Sequence, residues 1–174
     1  MQKPFVKWGL TAGGIGIAFT LILYIISPSM LNGFVAGLIP TIIMIYCAVK
    51  AAQEERELQG GYMTWAQALV PALLTILIYF VLTMLFSYIL TNLIDPSLAE
   101  EQMKTAMEMQ EKMMNLFGTE MTDEQIENLK ESTKPSLMNT IMGMFWGLLC
   151  FGLPIAAIIA LFVQKKDPEN ELLS

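Results

Sequence analysis

DPSLAEEQMKTAMEMQEKMMNLFGTEMTDEQIENLKESTKP, residues 95–135, is a polar, methionine-rich stretch that separates three long apolar segments from a fourth. It opens on Asp95 and Pro96, a side-chain acceptor followed by the residue whose missing N–H costs nothing at a first helical position, so a helix is expected from here to Phe117. At about 100° per residue, Ala99, Met103, Ala106, Met107, Gln110, Met113, Met114 and Phe117 share one face. Glu101, Lys104, Glu108, Glu111, Lys112 and Asn115 share the other, which makes the helix amphipathic. Glu100 before Lys104 and Glu108 before Lys112 each add a few tenths of a kcal/mol, and Gly118 supplies a left-handed stop. A second, shorter helix is signalled by the capping box of Thr122 to Gln125, with Met121 and Ile126 placed as a hydrophobic staple. It carries Ile126 and Leu129 and should fade before Lys134-Pro135. An insert this short cannot enclose its own core, so its apolar face is expected on the membrane surface, on the end of the bundle or on a second copy.

Outward from this insert the chain is greasy. Apolar residues make up 55% of its 174 positions and the mean hydropathy is positive, the composition of an integral membrane protein. The fold expected is an all-α membrane protein, a single domain over 1–174 with four transmembrane helices at about 5–26, 30–52, 64–94 and 136–163 and the extramembrane helical insert 95–135 between the third and fourth. The insert holds ten acids and four lysines, so it accounts for the whole net charge of −6. No basic face for nucleic acid remains.

Residues 5–26 read as a span and not a cleaved leader, because the apolar run is long and Ser27-Pro28-Ser29 is a poor cleavage site. That tripeptide reads as a tight turn into the second span, which should project from the bilayer through Gln53 to Leu58 and stop at Gly60-Gly61. Thr64 to Gln67 is a capping box that starts the third. Pro40, Pro71 and Pro154 should kink their helices by freeing the carbonyls of Ala36, Gln67 and Cys150. Gly-x-x-x-Gly occurs at Gly9 and Gly13, Gly33 and Gly37, and Gly143 and Gly147; small residues four apart let helix backbones approach closely, either within the bundle or between copies. Lys3, Lys7, Lys50, Arg56, Lys165 and Lys166 fall on one side of the four-span arrangement, which places both termini in the cytoplasm and the insert in the periplasm.

Several chemistries lack their residues. The chain has no histidine, and every Asp and Glu lies outside the expected spans, so neither an imidazole-based triad or zinc site nor an intramembrane carboxylate is on offer. No enzyme, no cofactor and no catalytic or metal-binding residue is expected. Thr11, Thr20, Thr41, Thr75, Thr83, Ser87, Asn139 and Thr140 are neutral polar groups within the spans, and such groups usually bond to their own helix or a neighbour. Cys47 and Cys150 read as small apolar residues inside spans. The insert methionines invite a Cu(I) reading, but Met107 and Met109 point about 160° apart on a helix. They suit an adaptable apolar contact surface better.

The residues Gly60-Gly61-Tyr62-Met63-Thr64-Trp65-Ala66-Gln67-Ala68 before the third span, Asp95-Pro96 at the acidic insert and Ile158-Ile159-Ala160 before Lys165-Lys166 resemble, over about the full length, the bacterial membrane proteins grouped as domain of unknown function 4199, found chiefly in Bacteroidota. The resemblance implies an inner-membrane location and brings no catalytic residues. The function expected is a non-enzymatic scaffold or accessory protein, in contact with the lipid bilayer and with a second copy or a membrane protein partner through Met103, Met107, Met113, Met114 and Phe117. The alternative is a subunit of an oligomeric small-solute transporter or channel, since four spans with no internal repeat are few for a carrier acting alone.

Overall fold

The computed structural model describes residues 3–32, 34–116 and 136–165, and between the last two stretches only 122, 124, 127, 128 and 131. Phe117, the Gly118 stop, Gly33 and most of the second insert helix lie outside the described residues.

Helix α1, Pro4–Ile26, begins on a proline where a missing N–H is no loss. The chain then makes a short 3₁₀ helix, Pro28–Asn32, before α2 runs from Phe34 to Leu58. The second helix thus starts later than Met30, because the Met30 N–H bonds the Ser27 carbonyl at 3.0 Å and winds the connection tighter than an α-turn. At its other end the Gly61 N–H reaches the Arg56 carbonyl at 2.9 Å and the Gly60 N–H reaches that of Glu57 at 3.2 Å. This is a Schellman end, and it needs the positive φ of Gly60 (88°).

Helix α3, Trp65–Ile89, starts on the expected capping box: the Thr64 hydroxyl accepts from the Gln67 N–H, and the Gln67 side chain accepts from the Thr64 N–H at 2.9 Å. It continues as a π-helical turn, Leu90–Ile94. Helix α4, Ser97–Leu116, opens the insert. The fourth span is not one α-helix: α5, Leu137–Gly147, passes through a π-helical turn, Leu148–Gly152, into α6, Leu153–Val163. The wide turn sits where Pro154 withdraws the N–H that the Cys150 carbonyl would have taken. By contrast α2 and α3 run through Pro40 and Pro71 as α-helix. Four helices are long and apolar enough to cross a membrane, which gives an all-α membrane fold.

The helix α3 is the central one, packed on α1, α2 and both halves of the fourth span, while α2 also meets α6. Gly9 and Gly13 of α1 lie directly against Ile78 and Leu82 of α3: a Cβ on Gly9 would sit 2.8 Å from the Cβ of Ile78, and one on Gly13 2.5 Å from a Leu82 methyl. Gly37, Gly143 and Gly147 make no such close contact. A Cβ on Gly37 or Gly143 would meet nothing within 4 Å, and one on Gly147 would meet only the Phe80 ring, at 3.8 Å.

Close packing elsewhere is carried by alanines four apart. Ala48 and Ala52 of α2, Ala68 and Ala72 of α3, and Ala156 and Ala160 of α6 are all fully buried, and together with Met44, Ile76, Ile159 and Val163 they fill the half of the bundle nearest the lysines. Small side chains let these three helices approach where lipid supplies no hydrophobic drive. The intramembrane threonines bond back to their own helices, Thr20 to the Gly16 carbonyl, Thr75 to that of Pro71 and Thr83 to that of Tyr79, at 2.8–2.9 Å.

Candidate functional site

The two ends of the bundle are built differently. At the lysine-bearing end, side chains and backbone tie the helices together across long sequence separations. Glu54 accepts from Lys7 at 3.1 Å and from the Trp8 indole N–H at 2.7 Å, which joins α1 to α2. The Arg56 guanidinium donates to the Val163 carbonyl at 2.9 Å, satisfying one of the open acceptors at the end of α6 where a cation also complements the helix dipole. Met63 and Lys165 exchange both backbone N–H···O bonds at 2.9 Å, a two-residue clasp between the α2–α3 loop and the chain after α6. The lysines lie along aromatic faces, Lys7 on Trp8, Lys50 on Tyr46 and Lys165 on Tyr62, at 5.1–5.8 Å from the ring centroids. Cation–π contacts of this kind let a long cationic side chain stand at an apolar boundary.

At the insert end there is less to hold the spans together and more to hold α4. The Asp95 carboxylate accepts from the Ser97 hydroxyl and, at 3.1 Å, from the Ser97 N–H, and it takes the Tyr24 hydroxyl of α1 at 3.2 Å. It therefore caps α4 one residue later than Pro96 would suggest and also pins the root of that helix to α1. The Ser97 hydroxyl does most to hold the Asp95 carboxyl below the usual carboxylate range; the Ser97 N–H and Tyr24 add to this, and partial desolvation opposes it. Leu98, one residue into α4, is 1% exposed. Farther on, α4 carries Met109, Met113 and Leu116 at 65%, 56% and 85% exposure. The methionine row expected to form the contact face is thus divided: Met103, Met107 and Met114 are half-buried, and Met113 stands with Met109 and Leu116 in the open.

Below the root of α4 the spans part to leave a cleft of about 380 Å³. Its walls come from the ends of α1 and α3, the start of α2 and the middle of α5, with Phe80, Met84 and Met144 among them, and Gln102 of α4 also lines it. Gly143 and Ala36 also line it. Sequence reasoning found neither the cleft nor the Glu54, Arg56 and Tyr24 bonds, whose partners lie 46 to 107 positions apart. Among the described residues no group of three or more His, Cys, Asp or Glu is placed to hold a metal ion.

A family model described as "Protein of unknown function (DUF4199)" matches residues 7–165. No curated protein and no solved structure matches the chain.

Proposed function

The chain belongs to the family described as Protein of unknown function (DUF4199), and on that premise we propose that it is a non-enzymatic scaffold or accessory protein of the bacterial inner membrane, acting through contacts that its amphipathic insert makes with a partner or with lipid. The observation that carries this is the contrast along α4, whose root is buried at Leu98 and bonded at Asp95 while Met109, Met113 and Leu116 stand exposed. Those three positions are four and three apart and so lie in one row on the helix. Leaving such a row wet costs about 1.5–3 kcal/mol per large apolar side chain relative to burying it, which favours a surface that is covered when the protein works.

The lysine-rich ends favour both termini in the cytoplasm and the insert in the periplasm. The transporter reading finds less support, because the packed alanines fill the half of the bundle that a path through the chain would have to cross. A photo-reactive amino acid in place of Gln110, activated in intact cells, should cross-link to a second copy, another membrane protein or phospholipid. Met109→Glu, Met113→Glu and Leu116→Glu together should reduce that adduct about tenfold or more, given that each glutamate would have to be buried unpaired. An adduct pattern unchanged by the triple variant would contradict the proposal.

A further inference from the structure

We propose that the cleft at the insert end binds one acyl chain of a membrane phospholipid, with the lipid's polar end beside Gln102. This inference stands on the four-span fold and the cleft alone, and does not depend on what α4 contacts.

All but one of the elements that form its walls are parts of the spans or the turn that joins the first two, so the cleft lies among the membrane-crossing segments, where acyl chains are the surrounding medium. An empty gap of this size would forfeit dispersion contacts along every wall. The lining is mixed, with the Ser87 hydroxyl and the Gln102 amide beside the apolar side chains. The Thr20 and Thr83 hydroxyls that line the cleft already donate to the Gly16 and Tyr79 carbonyls of their own helices, at 2.9 and 2.8 Å. Phe80, Met84 and Met144 offer apolar surface, and methionine adapts readily to a flexible chain. A volume of about 380 Å³ falls in the range of small-ligand sites, roughly 300–1,000 Å³.

Gln102 differs from the two threonines. The Gln102 side chain makes no hydrogen bond among the described residues and lines the cleft from α4. Its amide can donate to a phosphate or ester oxygen while the acyl chain runs inward past Met84 and Met144. Ala36 and Gly143 are small residues in the lining, and a Cβ on Gly143 would meet nothing within 4 Å.

Full-length protein in nanodiscs of phosphatidylethanolamine and phosphatidylglycerol, containing a trace of phosphatidylethanolamine with a mid-chain diazirine, tests this after irradiation and peptide mapping. Met84 and Met144 should be labelled in the wild type. Gly143→Leu places its side chain in the cleft where no neighbour stands within 4 Å, and should lower labelling of both methionines about tenfold. Phe162, 84% exposed on α6, should be labelled equally in both proteins and reports that the fold is intact. Ala36→Leu, which enlarges another lining residue, on α2, should give the same loss. Absence of label on Met84 and Met144 in the wild type, or undiminished label in both variants, would overturn the proposal, as would labelling by the corresponding free fatty acid and not by the phospholipid. A failed cross-link from position 110 with these labels intact would refute the scaffold reading and leave the lipid site standing.

Discussion

Gly9→Leu is expected to cost the protein much of its stability, while Gly143→Leu, the same change of side chain in the same kind of helix, is expected to cost none. The Gly9 position looks straight at Ile78, whose Cβ would lie 2.8 Å from the new one. A Cβ is fixed to its backbone and cannot rotate aside, so α1 itself has to move away from α3. Overpacking of this type costs about 1–3 kcal/mol where side chains can yield, and more is expected where a whole helix must shift. At Gly143 the new side chain enters open space, and the exchange of glycine for leucine favours the helix by roughly 0.5–1 kcal/mol. Unfolding midpoints in a detergent–SDS titration would compare the two variants. A loss at Gly143 equal to that at Gly9 would show that the glycine faces are assigned wrongly.

Ala72→Leu is the second large effect. Ala72 is fully buried between α2 and α6, with Ala48, Ala52, Ala156 and Ile159 in the same cluster. Three helices meet there at the distance that alanine permits, so a larger side chain at this position pushes against neighbouring helices. The expected loss is about 1–3 kcal/mol, with a fall in monodisperse protein after extraction. Val81→Leu adds one carbon to the same helix at an exposed position and serves as the control. If the two variants melt together, the alanine cluster is not what holds α2, α3 and α6.

These two positions also show what the sequence could and could not disclose. Span number and approximate limits were readable because hydropathy is a summed property of about twenty residues. Helix ends at Thr64 and at Gly60-Gly61 were readable because capping depends on neighbours in the chain. Which face of a span looks inward was not readable. A helix that is apolar all round has no wet side to mark its buried side, so Gly9, Gly37 and Gly143 look alike in sequence although, of these three, only Gly9 lies tightly against a partner helix. The alanine pairs drew no notice for the same reason, since alanine is at home anywhere in a helix.

Long-range polar bonds were hidden in a different way. Glu54 lies in a charged run that suggests a solvated projection, yet it receives both Lys7 and Trp8. Asp95 announces itself as a cap, and its second partner, Tyr24, lies 71 positions away. The pattern of the insert predicts a helix from Pro96 to Phe117, and α4 runs over Ser97–Leu116 within the described residues. It did not say which of two methionine rows would be half-covered, because that depends on how α4 leans on the turns at Pro28–Asn32 and Leu90–Ile94.

Everything proposed for α4 requires it to stand on the side of the membrane opposite the lysines. A single cysteine at position 109, in a chain otherwise freed of cysteine by Cys47→Ala and Cys150→Ala, can be offered a membrane-impermeant maleimide on intact spheroplasts, with a single cysteine at position 3 as the reciprocal probe. Labelling at 109 and protection at 3 is the predicted result. Protection at 109 with labelling at 3, or reaction at 109 only in inverted vesicles, would contradict it.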